Sequence, residues 1–188
     1  MEAGIVDDGC LAQDQKQMRS LWQIRESIAE SMGKRGAVYK YDLSIPHHRM
    51  YSIVDAMKQR IRSVPKFADI DVIGYGHLGD GTSATDHTRN TASLIMMWAR
   101  ALSCSGNIHV NILSPKYNDE LGNLIEPYVY EWIANERGSI SAEHGIGVMK
   151  PQHLHYSKSP EMISVMQALK RVFDPNGIMN PYKVLPEL

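Results

Sequence analysis

Residues 107–113, Asn-Ile-His-Val-Asn-Ile-Leu, decide the fold, because polar and apolar side chains alternate along them as far as Ile112. Such alternation is typical of a strand with one buried face and one polar face. A second strand is predicted upstream at residues 69–79, and the run Gly-Tyr-Gly-His-Leu-Gly-Asp-Gly at residues 74–81 contains its end. If residues 82–106 loop out, Asp80-Gly81 becomes a two-residue turn. We therefore expect the two stretches to pair as an antiparallel hairpin.

The remaining sequence predicts helices and one further strand around this hairpin. Val38–Ile45 alternates as a strand does, whereas four stretches have apolar residues near the helical period: 13–33, 46–61, 117–135 and 159–172. Ser44 and Pro46 suit the start of the second helix, and Pro127 predicts a kink in the third. Ser159 suits the cap of the fourth helix. This order predicts an α+β fold with a small, mainly antiparallel sheet, and the methionine-containing helix faces are expected in its core.

Composition excludes several classes of function. The chain has 188 residues, one domain's worth, with 20 basic and 21 acidic side chains and a net charge of −1. This balance argues against a nucleic-acid partner, and the longest apolar run, residues 94–99, is too short for a membrane span. Cys10 and Cys104 cannot form a disulfide framework or a cysteine zinc site, so we expect a reducing compartment. Residues 1–8 lack the features of a signal or transit peptide.

The hairpin suggests a metal site. In it His77 lies opposite His109, and opposed residues have Cβ atoms about 4.5–5.5 Å apart, close enough for two imidazoles to share one divalent metal. Glu143, in the Ser- and Gly-rich loop of residues 139–147, offers a third ligand. Two histidines, a glutamate and an open position suit a catalytic metal, and the adjacent His144 could carry a proton. Two structural histidines and an unrelated solvated carboxylate are an equally open alternative.

Several segments resemble the FAD-linked oxidase family, in the branch that oxidises D-2-hydroxyglutarate: residues 21–26, 38–44, 74–81, 139–147 and 180–186. The resemblance covers nearly the whole chain apart from residues 82–106. It implies that residues 1–188 form the ferredoxin-like C-terminal substrate, or cap, domain with an atypical insert at 82–106. It also implies that the preceding FAD-binding domain is absent from this chain, and that the cofactors are FAD and zinc or another divalent metal.

The same resemblance implies roles for the candidate residues. The positions that match metal ligands are His77, His109 and Glu143. The positions that match substrate-binding residues are Arg25, Lys40, Asn111 and His144. A guanidinium and an ammonium suit a dianionic acid, although without the resemblance both would be expected as solvated surface charges. His144 matches the residue that takes the hydroxyl proton while hydride leaves C2 for flavin N5, and Asn180 matches a segment that approaches the flavin.

The chain departs from the family pattern in two further places. Ala29 stands where the family has a threonine, so one hydroxyl toward the substrate is missing. Within the insert, residues 93–102 could form a short apolar helix, and the insert itself suggests an alternative transcript or a gene-model error. The histidines that match no functional position are expected at the surface: His47, His48, His87, His153 and His155.

The implied activity is oxidation of D-2-hydroxyglutarate to 2-oxoglutarate. The implied partners are this small 2-hydroxy acid and an electron acceptor such as an electron-transfer flavoprotein. A D-lactate or glycolate dehydrogenase is one alternative, and a truncated fragment without turnover is another. We expect the fragment alone to be inactive. The resemblance implies a mitochondrial location, although no transit peptide is visible in residues 1–8.

Overall fold

The structure, a computed structural model, describes residues 10–77 and 105–186, with only the backbone of His77 and Ser105. Its helices are α1 (Gln15–Gly33), α2 (Ser52–Arg62), α3 (Asp119–Ile125), α4 (Tyr128–Asn135) and α5 (Pro160–Phe173). Its strands are β1 (Ala37–Pro46), β2 (Asp71–His77) and β3 (Ser105–Ser114). Short 3-10 turns cover His47–Arg49, Pro65–Phe67 and Pro151–Tyr156.

The described strands form one antiparallel sheet in the order β1-β3-β2, which confirms the predicted α+β class. The stretch that opened the sequence analysis lies in β3, the central strand. Its even-numbered residues, Ile108, Val110 and Ile112, are buried in the main core. Side chains from α2, α3 and α4 cover this face of the sheet. The odd-numbered residues of β3 belong to the opposite face.

The register of the β2–β3 pair differs from the prediction by two residues. His77 lies opposite Asn107, and Tyr75 takes the place opposite His109 that the sequence analysis gave to His77. A shift of two residues leaves each residue on its original face, so the alternation alone could not distinguish these registers. The Asp80-Gly81 turn assumed in the prediction and the helix expected at residues 93–102 lie outside the described residues. Strand β3 already begins at Ser105, so the last two residues of the expected insert belong to it.

Two predicted helix boundaries were wrong. Strand β1 extends through Ser44 to Pro46, and α2 begins only at Ser52 after a short 3-10 turn. Ser44 stays extended because its backbone N–H and C=O both bond to Ser139, 3.0 and 2.9 Å away. The third predicted helix is divided at Pro127 into α3 and α4 rather than kinked. In contrast, α5 begins where expected, with the Ser159 hydroxyl accepting a hydrogen bond from the Met162 N–H.

The second face of the sheet is covered in part by α1. Ile28 and Met32 of α1 pack near Val38, Leu113 and Ile73 in a small apolar cluster. The rest of the apolar face of α1 is exposed, contrary to the expectation that it lies in the core: Met18, Leu21, Trp22 and Ile24. Helix α5 likewise buries none of its residues. No helix within the described ranges has the length and apolar character needed to span a membrane.

Gly76 allows β2 and β3 to approach each other closely. A Cβ added at Gly76 would collide with the backbone carbonyl oxygen of Asn107 and would lie 2.9 Å from the Cα of Ile108. We expect Gly76→Ala to lower the free energy of unfolding by roughly 1–3 kcal/mol, because the neighbour is backbone and cannot rotate away. Urea titration followed by circular dichroism measures this change. Gly33→Ala is the matched control, because nothing lies within 4 Å of the added methyl; an equal loss in both variants would contradict the steric argument.

Candidate functional site

Polar residues line the face of the sheet opposite the main core. Lys40 and Asp42 of β1 lie opposite Asn111 and His109 of β3, respectively, and opposed residues share a face. Asp42 and Asn111 are buried, with exposures of 1% and 2%. The Asn111 side-chain amide donates to the His109 carbonyl at 3.4 Å. A strand alternation that buries isoleucines on one side therefore gathers a cation, a carboxylate, an amide and an imidazole on the other.

A series of ring contacts joins α1 to this polar face. The guanidinium of Arg25, in α1, lies 4.9 Å from the centroid of the Tyr75 ring. The Tyr75 ring is 5.1 Å from the His109 ring, and the His109 ring is 5.4 Å from that of His144. A guanidinium over an aromatic face is held there by the negative potential of the ring. Arg25 is thereby brought to the same region as the two imidazoles.

The loop of residues 139–147 packs along the free edge of β1. Besides the paired backbone bonds between Ser44 and Ser139, the Ala142 N–H donates to the Asp42 carbonyl at 3.2 Å. Gly145 and Gly147 have φ values of +78° and +56°, a left-handed conformation that glycine adopts without the cost of a side chain. The loop therefore turns sharply just after Glu143 and His144 and holds these residues against the polar face.

The Asp42 carboxylate anchors this loop. Its Oδ2 accepts three backbone N–H groups, from Ala142 at 3.1 Å, Glu143 at 2.7 Å and His144 at 2.8 Å. Its Oδ1 lies 3.7 Å from Nδ1 of His109, and its Oδ2 lies 4.0 Å from Nδ1 of His144. A buried carboxylate requires such donors, because desolvation without them is costly. One side chain thus connects both histidines with the loop that carries Glu143.

Lys150 adds a nearby positive charge. Its ammonium donates to the Ile140 carbonyl at 3.2 Å, inside the loop region. Burial lowers the pKa of Lys150, and the negative charges of Asp42 and Glu126 partly oppose this shift. The electrostatic effect is mutual, so Lys150 offsets part of the cost of burying the Asp42 charge.

Glu143 reaches the strand at Asn107. Its carboxylate accepts a short hydrogen bond from the side-chain amide of Asn107, which is 4% exposed. Asn107 is two residues from His109 in β3 and is the register partner of His77. The three residues predicted as metal ligands therefore converge on the neighbourhood of Asn107, with His77 placed by its backbone alone.

The donor set of this face fits a divalent metal. Asp42, His109 and His144 each offer a ligand atom, and these atoms lie within 4.8 Å of one another. Among the described residues, the buried atoms Oδ1 of Asp42 and Oδ1 of Asn107 accept no hydrogen bond. Imidazole nitrogens with carboxylate oxygens suit zinc and related cations. Such a cation at this face would supply the positive charge that the partly unsatisfied acceptors lack.

The structure brings together most of the residues that the sequence singled out. Those on or against the polar face are Arg25, Lys40, Asn111, His109, Glu143 and His144. Asn180 lies elsewhere, in a groove of about 500 Å³, where its side chain accepts from the Lys183 ammonium at 3.1 Å. Its segment touches the end of the loop, where the Val184 N–H donates to the Gly147 carbonyl at 2.8 Å.

Sequence reasoning missed two residues of this face and misplaced one histidine. Asp42 and Asn107 were not singled out, although each is a polar residue at an alternate position within a predicted strand, which is a usable signal. His153 was expected at the surface, but it is half-buried, with its ring 4.5 Å from that of Tyr130 and its Nε2 3.8 Å from the Glu126 carboxylate. It packs there because the 3-10 turn Pro151–Tyr156 lies against α4.

Comparison with known proteins supplies the family. A family model described as "FAD linked oxidases, C-terminal domain" matches residues 1–184. The chain belongs to this family. D-2-hydroxyglutarate dehydrogenase, mitochondrial, from Arabidopsis thaliana is 48% identical over 186 residues, which are 99% of this chain and 28% of that protein. The protein of the same name from Bos taurus is 41% identical over 99% of this chain and 29% of its own length.

A third relative is named for a different activity. The D-2-hydroxyglutarate–pyruvate transhydrogenase of Saccharomyces cerevisiae is 34% identical over 98% of this chain and 33% of its own length. The chain thus spans only 28% to 33% of these curated relatives. The small α+β structure is consistent with the C-terminal domain of the family.

Proposed function

We propose that this chain supplies the substrate- and metal-binding part of a flavin-dependent dehydrogenase that oxidises D-2-hydroxyglutarate to 2-oxoglutarate. The observation that carries the proposal is the polar face of the sheet, which gathers cations, imidazoles and carboxylates between β1, β3 and the 139–147 loop. The names of the Arabidopsis and Bos taurus relatives support the choice of substrate.

Arg25 and Lys40 would bind the two carboxylates of the substrate. The Arg25 guanidinium is held over Tyr75, and Lys40 is exposed beside Asn111 on the same face. A guanidinium binds a carboxylate through two parallel hydrogen bonds, whereas an ammonium acts as a point charge. Two cations favour a dicarboxylate over a monocarboxylate such as D-lactate, which is the alternative substrate. Asn111 would donate or accept one further hydrogen bond.

The metal would be held by His77, His109 and Glu143, with zinc as the proposed ion. When bound, the metal would act as a Lewis acid that polarises the 2-hydroxyl group. The chain's part would be to supply ligand atoms from these three residues, and the backbone bonds of the 139–147 loop hold Glu143 for that role. Asn107 restrains the Glu143 carboxylate from β3.

His144 would take the proton of the 2-hydroxyl. Its backbone N–H is fixed by Asp42, and its side chain is 60% exposed, so that it is accessible from the solvent side of the face. A neutral imidazole is a suitable base near neutral pH. The flavin would supply the hydride acceptor, and Asn180 belongs to the segment proposed to approach it.

The cellular setting is proposed from the relatives. Those from Arabidopsis and Bos taurus are named as mitochondrial, which supports a mitochondrial location for this protein. We also propose an electron acceptor, such as an electron-transfer flavoprotein, that reoxidises the flavin. The alternative is that this chain is a fragment that has no catalytic activity of its own.

The substrate proposal is tested by calorimetric titration of the zinc-loaded chain with D-2-hydroxyglutarate and with D-lactate. We expect Lys40→Ala to weaken binding of D-2-hydroxyglutarate about 10-fold or more, the usual effect of losing a hydrogen bond to a charged group. Binding of D-lactate is expected to change little. Lys58→Ala is the control, because half-buried Lys58 lies in α2 over the ring of Tyr51, away from the polar face. An equal effect of Lys40→Ala on both acids would remove the argument for a dicarboxylate.

Visible spectroscopy distinguishes the hypothesis of a catalytically active chain from that of an inactive fragment. A flavin spectrum in the purified chain, with dye reduction on addition of D-2-hydroxyglutarate, would refute the inactive alternative. A colourless chain that still binds the acid would support a substrate-binding part that requires flavin from elsewhere. A chain that binds neither flavin nor either acid would contradict the proposed function.

A further inference from the structure

Asp42 is a buried carboxylate whose two oxygen atoms have different neighbours, and this difference suggests a role for Asp42 in the metal site. Oδ2 is used by three loop amides, whereas Oδ1 accepts no hydrogen bond among the described residues. Nδ1 of His109 lies 3.7 Å from Oδ1. The His109 side chain is only 12% exposed, so its ring is confined beside this oxygen.

We propose that Asp42 is the positioning residue of the metal site, acting on His109 through Oδ1 and on Glu143 and His144 through Oδ2. Histidines that bind metals commonly donate their second ring N–H to a carboxylate, which fixes the tautomer and the orientation of the ring. With its proton on Nδ1 and directed to Asp42, His109 presents the lone pair of Nε2 for coordination. This inference rests on the metal part of the proposed function.

The same carboxylate sets the geometry on the loop side. Three N–H groups from consecutive residues converge on one oxygen, so the backbone of residues 142–144 curls around Oδ2. The side chains of Glu143 and His144 project from this curl, and that of Glu143 reaches Asn107. Because the 142–144 backbone and His109 both lie against the Asp42 carboxylate, this carboxylate sets the distance between the loop and His109.

Direct coordination of the metal by Asp42 is the competing arrangement, since Asp42, His109 and His144 form a group of suitable ligand atoms. The hydrogen bonds argue against it. Oδ2 already accepts three amides, and ligation through Oδ1 would take away the acceptor that Nδ1 of His109 faces. The two arrangements differ at His109: positioning requires a proton on Nδ1 that is directed to Oδ1, whereas coordination through Oδ1 would leave that proton without this acceptor.

Asp42→Asn tests the proposal most sharply. The carboxamide has nearly the same shape, and its oxygen can still accept the three loop amides, which leaves its NH₂ group directed toward His109. That NH₂ favours a lone pair on Nδ1 and a proton on Nε2, the tautomer that cannot coordinate through Nε2. We expect zinc affinity, measured by competition with a chromogenic chelator, to fall about 10–100-fold. The ¹⁵N shifts of His109 should show the change of tautomer in the metal-free chain.

Asp174→Asn is the matched control. Asp174 is also buried, at 5% exposure, and accepts the N–H groups of Ile178 and Met179 at 3.0 and 2.9 Å. Its replacement is expected to lower stability without changing zinc affinity or the ¹⁵N shifts of His109. Wild-type zinc affinity in folded Asp42→Asn would overturn the proposal.

The ¹⁵N spectrum of the unaltered chain provides a second test that does not depend on the variant folding. A proton on Nδ1 of His109, both without zinc and with zinc bound, supports positioning by Asp42. A proton on Nε2, or the large upfield shift of an unprotonated Nδ1 that marks zinc bound to that nitrogen, overturns it. Failure of the unaltered chain to bind zinc would refute the metal part of the proposed function, while the tautomer in the zinc-free chain would still decide the role of Asp42.

Discussion

His109→Ala is expected to abolish tight metal binding while leaving the fold intact. His109 lies in the central strand, its ring is between those of Tyr75 and His144, and its side chain is only 12% exposed. Removal of a supporting residue around a metal typically costs 10–100-fold in affinity, and removal of a ligand itself is expected to cost at least about 100-fold. Zinc content after dialysis against a weak chelator, measured by mass spectrometry, should fall from one ion per chain to near zero.

The control for this experiment is His48→Ala. His48 is exposed in the 3-10 turn after β1, and its replacement should leave the zinc content unchanged. Because His109 belongs to the polar face and not to the main core, circular dichroism of the His109 variant should resemble that of the unaltered chain. Equal zinc content in both variants would refute a site built on β3.

Ile112→Ala is expected to cause the largest loss of stability. Ile112 is fully buried at the centre of the sheet, with Tyr39 of β1 and Val72 of β2 as its register partners. Truncation of a buried isoleucine to alanine removes apolar contacts and leaves a cavity, which costs about 2–5 kcal/mol. Urea unfolding monitored by circular dichroism should show a lower midpoint with an unchanged slope.

Ile24→Ala is the same chemical change at a site that is 67% exposed in α1. We expect it to alter the free energy of unfolding by no more than about 0.5 kcal/mol, as is usual at the surface. Similar losses in the two variants would show that the even-numbered residues of β3 do not form the core described here.

Much of the sheet could be predicted from local patterns. The alternation of residues 107–113 predicted a strand with apolar side chains on one face, and the strand is confirmed, although Asn107 and Asn111 on the polar face are buried as well. The pairing register could not be derived, because sliding by two residues changes no face and the turn assumed to fix it is not adjacent to β3 in sequence. The end of β1 was also hidden from local reasoning, since it depends on backbone bonds between Ser44 and Ser139, distant in the chain.

Helical period predicted the positions of α1 and α5 but not their burial. An amphipathic pattern states that one face is apolar, yet it does not state what covers that face. In α5 the apolar side chains remain exposed, among them Met162, Val165 and Leu169. Only the contacts of the folded chain distinguish such a face from one in the core.

The candidate site was partly accessible from sequence. A carboxylate within an alternating strand, such as Asp42, is uncommon enough to be noticed. Its three bonds to the 142–144 amides, however, join positions far apart in the chain, and no spacing rule predicts them. The assignment of metal and substrate roles to individual residues stays a prediction that the experiments above address.

Because β3 is the central strand, substitutions at its even-numbered and odd-numbered positions have different consequences. Changes at Ile108, Val110 or Ile112 act on folding, whereas changes at Asn107, His109 or Asn111 act on the polar face. Variation at Asn107, His109 or Asn111 can therefore change ligand chemistry without removing apolar contacts from the main core, whereas odd-numbered Leu113 belongs to the small apolar cluster under α1. Variation at even positions can adjust stability without altering the donor atoms. Within this one strand, stability and ligand binding can therefore change through different substitutions.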